Sequence, residues 1–96
     1  MELRIEAIHF NMSEQLKDFV EKKMGNLPRF NDAITDIDVT LRLLKPETNM
    51  NKEAEVRILL PQKKQLISAK TADSFEEAVS CVVDSLKPML ERAKNK

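Results

Sequence analysis

Glycine and cysteine each occur once in this 96-residue chain, tryptophan and tyrosine do not occur, and neither sign of charge is in excess. Each shortage closes off a class of function. A lone glycine, Gly25, leaves no glycine-rich loop whose backbone amides would cradle the phosphates of a nucleotide. A lone cysteine, Cys81, cannot close an internal disulfide, and no charged-then-apolar leader opens the chain; together these point to a reducing, cytoplasmic compartment. The apolar runs are too short to cross a bilayer, so no membrane partner is expected. With four phenylalanines as the only aromatics, bases have no open platform on which to stack, and RNA contacts would run through backbone and shape. Sixteen Lys and Arg balance sixteen Asp and Glu, so a case for nucleic-acid binding rests on local patches and not on net charge.

What is present is periodic. The stretch from Asp73 to Lys94 places Phe75, Ala78, Val79, Val82, Leu86, Leu90 and Ala93 on one stripe of a helix, the strongest such signal in the chain. Asp73 stands where an N-cap belongs, with Glu76 placed to complete a capping box. Pro88 falls opposite the Phe75 stripe, so a kink or an early last turn is expected there. A second helix starts at Ser13, carries Leu16, Phe19, Val20, Met24 and Leu27 on its stripe, and ends around Gly25, Asn26 and Pro28. Lys23 falls inside that stripe beside Phe19, so its stem must lie over the core with the ammonium reaching outward.

Three segments alternate with period two. Leu3, Ile5 and Ala7 alternate with Glu2, Arg4 and Glu6; Ile37, Val39, Leu41 and Leu43 with Asp36, Asp38, Thr40 and Arg42; and Ala54, Val56, Ile58 and Leu60 with Glu53, Glu55 and Arg57. Residues 45–52 read as a loop, Gln62 to Lys64 as a hairpin turn after Pro61, and Gln65 to Thr71 as a last short strand. The order is β-α-β-β-β-α. Each long strand has one polar face, so the expected architecture is an α+β two-layer sandwich, a four-stranded sheet with both helices on one side. The first two strands, joined through a helix, should be parallel and the later ones antiparallel. At this length the chain buries roughly 60–70% of its unfolded surface, enough for a single domain over residues 1–96 with one modest core.

Catalytic groups are scarce. His9 ends a strand and Cys81 lies opposite the Phe75 stripe, so they have no means to meet as a nucleophile and base, and no spacing of Cys, His or carboxylates forms a metal-ligand set. Asp36 and Asp38 share a strand face and read as a solvated edge that guards against aggregation. No enzyme activity, cofactor, metal or small-molecule substrate is expected. The cations are more informative because they cluster. Lys17, Lys22, Lys23 and Arg29 surround the first helix; Arg57, Lys63, Lys64 and Lys70 occupy a segment without acids; Lys87, Arg92, Lys94 and Lys96 end the chain against Glu91 alone. With the helices side by side, these groups are candidates for a phosphate-tracking surface.

The element order, the Met12-Ser13 start of the first helix with Lys17, Phe19-Val20, Lys23, Leu27 and Phe30, and the Ala69 to Asp73 and Phe75 approach to the last helix resemble the ribosome hibernation promoting factor family, which includes ribosome-associated inhibitor A. The likeness runs over nearly the whole chain and is to the short form. It implies a fold like that of double-stranded-RNA-binding domains, and a monomer that binds the small ribosomal subunit in the channel used by messenger and transfer RNA and silences idle ribosomes. By that resemblance Lys17, Lys23, Arg29 and Arg92 match basic positions of the family, with Lys22, Lys63, Lys64, Lys70, Lys87 and Lys94 as further RNA-binding candidates. Asn26, Ser85 and Pro88 stand where relatives usually carry Lys or Arg. A protein-interaction module that regulates a sigma or stress factor through its open sheet face is the competing reading.

The layer assignment is testable before any functional question. Val82→Asp would bury a carboxylate at the helix–sheet seam at a cost of several kcal/mol, against about 5–10 in hand for a domain of this size, so its thermal transition should be lost or fall far below that of the parent. A variant melting within a few degrees of the parent would place Val82 in solvent.

Overall fold

The computed structural model describes residues 1–45 and 49–94; Pro46 in the expected loop and Lys96 at the end of the chain lie outside them. Seven-residue β1 (Glu2–Ile8) leads to α1 (Glu14–Gly25), a 3-10 turn (Leu27–Arg29), β2 (Asp36–Leu43), β3 (Lys52–Leu60), β4 (Lys64–Ala72) and α2 (Phe75–Lys94). The strands lie in sequence order across one sheet, β1 parallel to β2 and the other neighbours antiparallel. This is the expected α+β arrangement.

Register decides what each face carries. Ile5 pairs with Val39 and Val39 with Val56, so the apolar sets of β1, β2 and β3 fall on one face, joined there by Leu66 of β4 opposite Ile58. The two helices cover that face. Val20, Met24 and Leu27 from the first helical segment, and Val79, Val82, Leu86 and Leu90 from α2, are fully buried against Ile37, Val39, Leu41, Val56 and Ile58. Phe10, in the link after β1, stacks on Phe75 at 4.3 Å between ring centroids and closes the core at the start of α2.

Local chemistry sets the helix ends. Ser13 is extended and its Oγ accepts from the Leu16 N–H at 3.1 Å, as expected of an N-cap. At α2 the expectation shifts by one residue, because Ser74, not Asp73, is the cap: its Oγ accepts from the Glu77 N–H at 3.1 Å and its carbonyl from the Ala78 N–H. The Asp73 carboxylate instead accepts from the backbone N–H of Met50, at 2.8 Å, and so ties the β2–β3 link to the start of α2. The capping box with Glu76 is therefore not formed from Asp73. Nor does Pro88 end the helix early, since α2 runs on to Lys94 with Pro88 on its exposed side.

Two buried asparagines hold the links. Asn31 donates through Nδ2 to the Leu90 carbonyl at 3.1 Å and accepts the Ala33 N–H on Oδ1, which fixes the segment after the 3-10 turn to α2. Asn51 donates to the Lys45 carbonyl and accepts from Lys52 Nζ at the mouth of the β2–β3 link. The β3–β4 turn puts Gln62 and Lys63 both at positive φ, 64° and 61°, a two-residue reversal whose twist suits a hairpin even though neither residue is glycine or asparagine.

The uncovered face is polar and internally paired. Arg4 reaches across from β1 to Asp38 at 2.7 Å and Asp36 at 2.8 Å and also meets Glu2, while Arg42 pairs with Glu53 and lies 3.6 Å from Glu55. The Arg4 hydrogen bond holds the Asp36 carboxyl below its ordinary range, with the Thr35 side chain acting in the same direction and partial burial opposing both.

Two measurements check these assignments. Ser74→Ala should cost about 1 kcal/mol, a fall of roughly 4–8 °C in Tm, whereas Asp73→Ala removes no cap and should alter chiefly the exchange of the Met50 amide. Asp36 is more acidic folded than unfolded, so it stabilises the fold above about pH 4 and loses that contribution as pH falls through its folded pKa. The Tm difference between the parent and Arg4→Gln should accordingly be largest near neutrality and shrink on acidification; a difference that grows below about pH 4 would contradict the pairing.

Candidate nucleic-acid interface

The two helices lie alongside each other, and between them runs a groove of about 160 Å³ lined by Lys23, Asn26, Arg29 and Phe30 on one side and Ser80, Val83, Asp84 and Lys87 on the other. Its cations arrive there for different local reasons. Lys23 occupies a stripe position of α1, so its stem is half-buried and its ammonium sits 5.6 Å from the centroid of the Phe19 ring, one turn back. Arg29 is carried outward by the 3-10 turn that follows Asn26. Lys87 is half-buried on the α1-facing side of α2, with Nζ 5.5 Å from the Phe30 centroid and 3.5 Å from the Asp84 carboxylate. A cation resting on an aromatic face keeps its charge and loses little freedom when it meets an anion. The groove thus carries three cations against one carboxylate, a local excess of positive charge.

The other expected cations are distributed. Lys64 and Lys94 line a hollow of about 270 Å³ beside Asp32 at the β3–β4 turn, and Lys63 is exposed on that turn. Lys22 is exposed on α1, and Lys17 lies about 120° around that helix from Lys23. Lys70 is exposed on β4. Arg92 shares a shallow depression with Leu66, Met89 and Ala93, on the flank of α2 over β4. Lys23 and Arg92, both matched to basic positions of the family, do not line one hollow: the five-residue step from Lys87 to Arg92 turns about 140° around the helix, and Lys87 is the residue that faces Lys23. Sequence reading also missed the supporting rings. The Phe19–Lys23 spacing was visible in one helix, while Phe30 and Lys87 are brought together only by the packing of two elements.

Electrostatics separate the two sides. By register and alternation the open sheet face carries Glu2, Glu6, Asp36, Asp38, Glu53 and Glu55 against Arg4, Arg42 and Arg57, which leaves ten acids and thirteen cations for the remainder of the sequence. A net charge of zero therefore conceals an acidic sheet face and a cationic remainder. Arg42 and Arg4 are taken up by neighbouring carboxylates, and their pKa values are raised chiefly by hydrogen bonds to Glu53 and to Asp36, respectively. Asp36 and Asp38 hold Arg4, a structural employment. His9, at φ 71°, lines a hollow with Arg42, Leu43, Leu44 and Lys45, while Cys81 is exposed on α2. Among the described residues no three His, Cys, Asp or Glu are grouped to hold a metal ion, and no helix is long and apolar enough to cross a membrane.

Two solved structures share this architecture. A ribosomal subunit interface protein from Coxiella burnetii superposes with a TM-score of 0.87 at 20% identity, all of each chain being covered. The N-terminal domain of Protein Y from Thermus thermophilus gives 0.81 at 22% identity, over 97% of this chain and 99% of that one. At such identities the likeness is one of fold. Residues 3–96 match the family model described as sigma 54 modulation protein / S30EA ribosomal protein, nearly the full chain. The chain belongs to that family, the hibernation-promoting factors that its sequence resembles.

Proposed function

We propose that this protein is a non-enzymatic, cytoplasmic ribosome-binding factor: a single domain that occupies the channel for messenger and transfer RNA on the small subunit and keeps idle ribosomes from initiating. The observation that carries the reading is the groove between α1 and α2, where Lys23, Arg29 and Lys87 converge around a space sized for a phosphate group while most of the sheet-face arginines are neutralised by their neighbours. Family membership supports it, and the Coxiella relative is itself described as a ribosomal subunit interface protein. Ribosomal RNA would be recognised through its backbone, since the phenylalanines are committed to the core or to the lysines and none offers a free stacking face. The acidic sheet face would then be turned away from RNA, and its repulsion would help to fix which side docks.

Salt dependence tests both the partner and the side. The triple variant Lys23→Gln, Arg29→Gln, Lys87→Gln should bind isolated small subunits at least about tenfold more weakly, with the log-affinity versus log-salt slope reduced by roughly two to three units, just under one for each lost phosphate contact. Arg57→Gln on the sheet face should change neither quantity. Loading the subunit beforehand with messenger and transfer RNA should abolish binding of the parent. Fluorescence anisotropy over a range of salt concentrations, with circular dichroism to confirm folding, gives these values; a triple variant that keeps its affinity and slope removes the groove from the interface, and undiminished binding to the loaded subunit removes the channel.

A further inference from the structure

The two edges of the sheet are not alike. On the open face β1 presents Glu2, Arg4 and Glu6, charges that discourage another strand from pairing alongside. On the same face β4 presents Gln65, Ile67, Ala69 and Thr71, with no charge among them and with Ile67 46% exposed. β4 is nine residues long, contains no proline, and pairs only with β3. Among the described residues, its outer edge therefore offers a row of backbone N–H and C=O groups without a partner strand. On the helix-covered face the same edge borders the depression of about 350 Å³ formed by Leu66, Met89, Arg92 and Ala93. Residues 61–72 include Lys63, Lys64 and Lys70 and no acid, and Arg92 adds a fourth cation along the flank.

We propose that the β4 edge is a docking site for an extended acidic peptide segment of a partner protein, which adds to the sheet as a fifth strand. Main-chain hydrogen bonds supply the pairing, one apolar side chain of the segment enters the Leu66–Met89–Ala93 depression, another covers Ile67 from the open face, and carboxylates meet Lys64, Lys70 and Arg92. Charge complementarity selects this occupant. Two copies of the chain meeting along this edge would set the same cations against one another, and RNA phosphates would satisfy the cations while leaving the backbone row and Ile67 unused. The site is distinct from the inter-helical groove, so it stands or falls independently of ribosome binding.

The test uses the intact chain and a blocked nine-residue peptide with glutamates six positions apart, matching the spacing of Lys64 and Lys70, and a leucine and a valine between them. Titration followed by amide NMR should give a Kd on the order of 100 μM, with shifts and new exchange protection confined to residues 64–72 and the adjoining flank of α2. Ile67→Asp and Lys70→Glu, both at exposed positions, should each weaken binding by about tenfold without loss of fold, and a proline at the centre of the peptide should abolish it. Four results overturn the proposal: no shifts at about 1 mM peptide; equal binding of the proline peptide; the same resonances moving with a short RNA duplex but not with the peptide; or their moving with protein concentration alone, which would make the edge a self-association surface.

Discussion

Everything in this fold depends on one sheet face being covered and the other not. Two helices are the only layer available to bury Ile37, Val39, Leu41, Val56 and Ile58, and the strands supply no second apolar face to attract another layer. Side-chain alternation then sorts charge without any further device. Every second residue of β1, β2 and β3 lies on the uncovered face, and in this sequence half of those are carboxylates. Arginines placed among them hold five of the carboxylates in ion pairs; such exposed pairs add little stability, but they offset the repulsion of those acids across adjacent strands. The consequence is a molecule neutral in sum and polar in layout.

The same seam builds the cationic groove. Lys23 and Lys87 are half-buried because their Cα atoms sit at the margin of apolar stripes, and each ammonium can leave the core only by passing along a phenylalanine ring into the space between the helices. Their positions are thus tied to those of Val20, Met24, Val83 and Leu86, residues with no polar role. Asn31 strengthens the tie: its side chain bridges the segment that carries Arg29 and Phe30 to the Leu90 carbonyl of α2, so the two walls of the groove are joined by a buried hydrogen bond as well as by packing. A substitution in this core would therefore shift the groove cations as well as the packing.

Most of the fold was legible because it is written in period. Alternation marked three strands and the hairpin turn the fourth, the Leu16 to Leu27 and Phe75 to Ala93 stripes marked two helices, and a helix between the first two strands implied their parallel pairing. What could not be read depends on contacts between elements distant in sequence. Asp73 and Ser74 are both good caps, and the choice between them was made by Met50, whose amide takes the Asp73 carboxylate. Asp36 and Asp38 read as a bare acidic edge until the parallel register placed Arg4 beside them. The grouping of cations along the sequence was uninformative about assembly, because which lysines converge is set by how far around α2 each one lies from the contact with α1.

Ser85, Pro88 and Asn26 show how that geometry constrains where a cation can stand. Ser85 lies on the β4 side of α2, where its hydroxyl approaches that of Ser68 at 2.5 Å and donates to the Val82 carbonyl; a lysine there would be directed along the sheet edge and away from the groove. Pro88 is on the exposed side, and Asn26 already lines the groove and caps α1 through its backbone. Lys87 therefore supplies the charge from the one side of α2 that faces α1, at a place where the ring of Phe30 supports its stem and Asp84 lies within 3.5 Å of its ammonium. That pair is weak, because the carboxylate is exposed and only one turn away, so it leaves most of the Lys87 charge unneutralised. Charge on α2 thus enters the groove through Lys87, while the flank over β4 keeps Arg92 beside an apolar depression.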